Sequence, residues 1–93
     1  MKIYQSRLFE KKVKKMTKAE KEALDREVRN IAENPNIGEE KKGDLKGLFV
    51  HKFKLKTSLY LLAYRKGDND LELVMIGSHE NYYRDLKGYL KSK

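Results

Sequence analysis

The sequence predicts one α+β domain, ordered β-α-α-β-β-β-α, with helices packed on one face of an antiparallel sheet. Three observations carry that prediction. Two apolar stripes at helical spacing occupy the first third of the chain, separated by a capping motif at Thr17. From Leu45 onward the pattern changes to alternating, then continuous, apolar runs broken by turn residues. Finally, 93 residues supply one hydrophobic core and leave no room for a second, so residues 1–93 are read as a single domain.

Met1 to Tyr4, with Met1 and Ile3 apolar, reads as a short first strand. Ser6 is placed to cap a helix whose stripe is Leu8, Phe9, Val13 and Met16. Thr17 followed by Glu20 has the spacing of a capping box and opens a second helix. Its inward positions are Leu24, Val28, Ile31 and Ala32, and Asn34-Pro35 ends it, because proline disfavours helix in the preceding residue. The two helices form a hairpin with a charged outer face. Asn36 to Asp44 reads as a loop.

In the next strand Phe49, Phe53 and Leu55 share one parity, while Lys52 and Lys54 share the other. His51 has the parity of Phe49 and is read as flanking the core. Thr57-Ser58 makes a turn into an apolar strand from Leu59 to Arg65. Gly67-Asp68-Asn69-Asp70 is a hairpin loop, and Leu71 to Ile76 is apolar enough to be a central strand. A last helix from about Asn81 to Leu90 carries Tyr82, Leu86 and Leu90 at four-residue spacing.

The formal net charge is +8, from 22 Lys+Arg against 14 Asp+Glu, which attracts polyanions, nucleic acid foremost. Ordinary solubility charge, or an acidic protein partner, accounts for the same number. There is no cysteine, so disulfides and thiolate chemistry are excluded. Lys2, Arg7, Lys11 and Lys12 interrupt the start of the chain, leaving no apolar run of signal or membrane-span length. A soluble, cytoplasmic protein without membrane partners is expected. The two histidines, His51 and His79, have no spacing typical of a zinc site, so neither a metal nor another cofactor is expected. No glycine-rich phosphate loop occurs, and Ser58 and Ser78 lack a nucleophile elbow.

The constellation with chemical content is Lys52, Lys54, His79 and Tyr83. The two lysines project from one strand face, and His79 stands where the third strand of the meander gives way to helix. Tyr83 follows four residues later, one helical turn away. Such a set suits RNA cleavage without metal. A base takes the 2′-OH proton, the oxygen attacks phosphorus, an acid protonates the departing 5′-oxygen, and cations hold the phosphate charge. Histidine, with an ordinary pKa of about 6.5, can take either proton role. Tyrosine can stack on a base or place its hydroxyl near the phosphate. Lys46, Lys56, Arg65 and Arg84 are further cations available to RNA. Each residue also has a plain structural reading: a solvated strand face for the lysines, a junction hydrogen-bonder for His79, a core aromatic for Tyr83.

Several segments resemble the RelE/ParE superfamily of type II toxin-antitoxin toxins. Leu45-Lys46-Gly47 is similar to the family's Leu-x-Gly segment. Lys52-Phe53-Lys54-Leu55-Lys56-Thr57-Ser58, leading into Tyr60-Leu61-Leu62-Ala63-Tyr64, resembles the strand-turn-strand of RelE-type members. Gly77-Ser78-His79-Glu80-Asn81-Tyr82-Tyr83 looks like the Gly-Thr-His-x-x-x-aromatic end of YafQ-type members. The resemblance implies a RelE-like microbial ribonuclease fold and an mRNA interferase acting on the ribosome. Strand-lysine and tyrosine roles then fall on Lys52, Lys54 and Tyr83, and the catalytic histidine on His79. Leu61 stands where RelE-type members carry an arginine, and a second arginine has no clear counterpart, with His79 or Arg65 as partial substitutes. That departure favours a histidine-centred variant. The resemblance also implies a cognate antitoxin, acidic and partly disordered, that covers basic surface. Two competing readings stay open: a ParE-like DNA gyrase inhibitor without catalytic residues, and a non-toxic module keeping only the antitoxin interface.

Overall fold

The computed structural model describes residues 2–43, 46–55 and 57–79. In chain order they form β1 (Lys2–Gln5), α1 (Arg7–Lys14), α2 (Lys18–Glu33), β2 (Glu39–Glu40), β3 (Phe49–Leu55), β4 (Ser58–Lys66) and β5 (Asp70–Ser78). The final helix expected from Asn81 to Leu90 lies outside the described residues.

The helix starts follow local chemistry. Ser6 Oγ accepts the Phe9 N–H at 3.0 Å, satisfying one of the orphan donors of α1. At α2 the box is reciprocal: Glu20 N–H donates to Thr17 Oγ1 at 3.2 Å, and Thr17 N–H to Glu20 Oε1 at 2.8 Å. Asn34 ends α2 just before Pro35. Leu24 and Ile31, two turns apart, are the buried residues of α2, with Val28 packed at the margin of the same core.

The strand order is β1-β5-β4-β3-β2. The expectation of an antiparallel sheet fails at one edge, because β1 runs parallel to β5, pairing Lys2–Gln5 with Asp70–Leu73. A parallel pair needs a long crossover, and everything between Ser6 and Asn69 supplies it. A second correction lies in the stretch expected to be a loop. Glu39 and Glu40 pair with Val50 and Phe49 as a two-residue strand, and Lys41 N–H reaches Leu48 C=O at 2.8 Å. Two glutamates carry no apolar alternation, so nothing in the pattern marked them.

A third correction concerns the faces. Ala63 pairs with Met75 but Tyr64 pairs with Leu73, so Val74 is an extra residue, a β-bulge. Before the bulge Leu71 and Leu73 face α2, and after it Ile76 does. Val74 and Met75 turn instead to the opposite face and join Leu48, Val50, Leu61 and Ala63 in a second buried cluster. The helices therefore do not serve one face alone. Phe9 of α1 enters the first cluster, and its neighbour Leu8 packs against the second.

Two ties hold the layers in register. Glu27 of α2 meets His51 of β3, Oε1 to Nε2 2.8 Å, and the His51 ring stacks on Phe53 at 5.9 Å. Tyr64, fully buried, donates its hydroxyl to Pro35 C=O at 2.6 Å and accepts Gly38 N–H at 3.0 Å. An added Cβ at Gly38 would stand 2.7 Å from that hydroxyl, so the loop passes here only because the residue is glycine.

Ser6→Ala is expected to cost more than Thr17→Ala, about 2 kcal/mol against about 1, because Ser6 also serves a buried carbonyl; urea unfolding of both variants measures it. Burial raises the Tyr64 pKa above its ordinary 10.0, outweighing the opposing Gly38 hydrogen bond. Folded protein thus holds the proton more tightly than unfolded chain. The resulting stability is intact below pH about 10 and is lost as pH climbs from there through the raised folded value. Tyr64→Phe should lose about 1–3 kcal/mol at neutral pH and show a smaller alkaline decline, read from stability against pH.

Candidate active site

β3 contributes Lys52 and Lys54 from its exposed positions, on the face opposite Phe53 and Leu55. In the ladder Lys54 is opposite Leu59 of β4, and Lys52 is opposite Leu61. Tyr60 pairs with Ser78 and Leu61 with Gly77, and the His79 N–H donates to Leu59 C=O at 3.0 Å. That bond carries the pairing one step past β5 and fixes the backbone of His79. Lys54, Leu59 and His79 thus form a transverse row over three strands, spanning roughly 10 Å of backbone. Lys52 stands about 7 Å further along β3 on the same face.

The bulge decides this arrangement. Strict alternation from Leu71 and Leu73 would carry His79 to the helix-facing side. The extra residue at Val74 reverses the parity, so His79 emerges with Met75 and Gly77 on the lysine side. Ser6 holds the bulge in place. Its N–H donates to Leu73 C=O at 3.0 Å and its hydroxyl to Val74 C=O at 2.5 Å, so two consecutive carbonyls face one residue.

Lys52, Lys54 and His79 are all exposed, and Ser58, Leu59, Ser78 and His79 line a shallow depression of about 380 Å³. Leu59, 37% exposed, lies between Lys54 and His79 and offers an apolar surface for a base to rest on. Sequence reading passed it over, although its pairing with Lys54 follows from the length of the hairpin. The other predicted residues part company. Arg65 lies at the far end of β4, where its guanidinium approaches Glu72 at 3.5 Å. Lys46 is exposed in the turn before β3, also away from the row. Lys56, Tyr83 and Arg84 lie outside the described residues. His51 faces α2, away from the lysines. Leu61 is fully buried in the second cluster and offers no cation to a phosphate.

Among the described residues no three His, Cys, Asp or Glu side chains gather as a metal-holding group. None of the described helices is long and apolar enough to cross a membrane.

A family model described as the ParE-like toxin of type II bacterial toxin-antitoxin systems matches residues 3–87. The chain belongs to that family. Solved toxins share its fold. Free E. coli RelE toxin carrying two arginine-to-alanine changes superposes with a TM-score of 0.71 at 18% identity, covering 98% of this chain and 94% of that one. The YoeB/ParE toxin from Agrobacterium tumefaciens gives 0.68 at 20% identity, covering 85% and 99%. Toxin from the E. coli RelBE toxin-antitoxin complex gives 0.65 at 22%, covering 82% and 93%. At these identities the likeness shows the fold alone. No curated protein matches this toxin by sequence.

Leu61→Arg would introduce the cation that the resemblance to RelE-type members implies at this position, but place it in a buried apolar cluster of the toxin. It should destabilise the fold by at least about 3 kcal/mol, measured as a lowered urea midpoint. An unchanged midpoint would show that the arginine reaches solvent from this position.

Proposed function

We propose that this toxin is a ribosome-dependent endoribonuclease that cleaves mRNA without a metal and so arrests translation. The observation that carries the reading is the row Lys54–Leu59–His79, with Lys52 beside it, on hydrogen-bonded neighbouring strands of the sheet. His79 takes one of the two proton roles, removing the 2′-OH proton or protonating the departing 5′-oxygen. The O2′–P bond forms as the P–O5′ bond breaks, leaving a 2′,3′-cyclic phosphate and a 5′-hydroxyl. Lys52 and Lys54 stabilise the charge that gathers on the nonbridging oxygens. Leu59 gives one flanking base an apolar rest. Tyr83 is assigned to stacking or to the phosphate, and Lys46, Lys56, Arg65 and Arg84 to more distant RNA contacts, by resemblance. The shallowness of the depression among the described residues supports a role for the ribosome, as a second body that aligns a flexible strand for in-line attack. The proposed partner in the cell is an acidic antitoxin, as RelE is paired with an antitoxin in the RelBE complex.

A second reading has its own support. The matching family is described as ParE-like, and Leu61 is buried at the position where the resemblance to RelE-type members implies an arginine. A gyrase inhibitor would need no proton-transfer group at His79.

Primer extension on programmed ribosomes incubated with purified toxin separates the two. Discrete cuts near the ribosomal A site are expected. They should fall by at least about 100-fold with His79→Ala, the scale of a lost general acid or base. Lys54→Gln should lower cleavage less and leave the fold intact. Uncut mRNA from folded, cell-toxic protein, together with inhibited DNA supercoiling by gyrase, would replace the ribonuclease reading with the second.

A further inference from the structure

The positive charge of the chain is not spread evenly. Residues 2–18 hold seven cations and one carboxylate, Glu10, a net +6 of the chain's +8. In α2 beyond Lys18, by contrast, Lys21, Arg26 and Arg29 are outnumbered by Glu20, Glu22, Asp25, Glu27 and Glu33. Arg29 is further paired with Asp25 at 3.0 Å.

Arg7, Lys11 and Lys14 recur at intervals of four and three, so they share one face of α1, opposite Phe9 and Val13. All three are exposed, and Lys15 and Lys18 carry the exposed charge on across the turn into α2. Among the described residues none of these five side chains makes an ion pair, whereas Arg29, Lys41 and Arg65 elsewhere do. Favourable interaction with the helix dipole accounts for Lys14 at the C-terminal end of α1. It does not account for Arg7, which stands at the N-terminal end, where a cation opposes the dipole.

We propose that Arg7, Lys11 and Lys14, continued by Lys15 and Lys18, form a docking stripe for the phosphate backbone of folded RNA. Given the ribonuclease reading above, on which its biological setting rests, that RNA is ribosomal. The stripe lacks what a protein interface requires. Its apolar neighbours Phe9 and Val13 turn inward, and the exposed large apolar residues, Ile3, Tyr4, Ile37 and Leu59, all lie outside residues 7–18. Protein partners are held by buried apolar anchors, while a phosphate backbone is held by cations alone. Successive turns of α1 present one cation about every 6 Å, a linear array that suits a linear polyanion.

The stripe makes a quantitative prediction about salt. In a His79→Ala background, which leaves the probe uncut, binding of a labelled RNA duplex of about 16 base pairs is followed by anisotropy against salt. Replacing Arg7, Lys11 and Lys14 with Gln should flatten the slope of log affinity against log salt by about 2–3. Between about 50 and 200 mM salt the parent then loses about 40-fold more affinity than this variant. Lys21→Gln, Arg26→Gln and Arg29→Gln together remove the same charge from α2 and should change the slope by less than about one. Arg7→Gln alone removes a cation from the wrong end of a helix, so it folds at least as well and should flatten the slope by about 0.9. Equal effects of the two triple variants, or no effect of Arg7→Gln, would overturn the proposal. So would poly-glutamate binding more tightly than the duplex, which would give the stripe to an acidic protein instead. Parallel cleavage on programmed ribosomes separates this idea from the ribonuclease reading. If the parent with His79 cuts nothing while the slopes behave as stated, that reading falls and the stripe stands.

Discussion

Much of this molecule hangs on one serine. The Ser6 hydroxyl accepts the Phe9 N–H in the first turn of α1 and donates to the Val74 carbonyl, while the Ser6 N–H donates to the carbonyl of Leu73. A β-bulge leaves backbone groups that the neighbouring strand does not pair, and a buried unpaired carbonyl is costly. Ser6 is buried and meets that need while also starting the helix. Helix start, parallel strand and bulge are therefore one cooperative unit.

The bulge in turn makes the sheet two-sided. By placing Val74 and Met75 on the same face, it lets β5 feed a cluster on each side without a polar residue falling into either. The same half-turn of parity brings His79 to the lysines. Positioning of the candidate catalytic group is thus a property of the backbone, supported from the far side of β5 by a residue that never approaches the site. Tyr64 plays a comparable part for the opposite half, tying the loop after α2 to the middle strand through Pro35 and Gly38.

Residues whose local chemistry decides their state were readable in the sequence. Ser6 and Thr17 cap as their spacing implied, Pro35 ends α2, and the two long hairpin strands follow their apolar runs. What escaped depends on partners distant in the chain. Leu71 to Ile76 is apolar at nearly every position, so nothing in the pattern marks where the alternation slips. Glu39 and Glu40 become a strand only because Phe49 and Val50 offer a ladder. Lys52 and Lys54 correctly marked an exposed surface, yet Val50 on their own parity is buried, so a strand face can be wet at one end and dry at the other. Of the candidate site, the sequence supplied the lysines and the histidine. It did not supply the register that separates them from Lys46 and Arg65.

The ends of the sheet bear on how such a chain behaves in a crowded cell. Its middle strands, β4 and β5, are long, apolar and rich in the residues that drive cross-strand association. Left open, strands of that kind would recruit the same strands of other copies. Here, among the described residues, one border begins with Glu39 and Glu40, which pair only with Phe49 and Val50, and continues along His51 to Leu55 of β3, where the exposed Lys52 and Lys54 put charge beside the open edge. The other border is four residues with a lysine at its head. Charged margins let a small basic protein keep an aggregation-prone centre while remaining a poor template for its own fibrils.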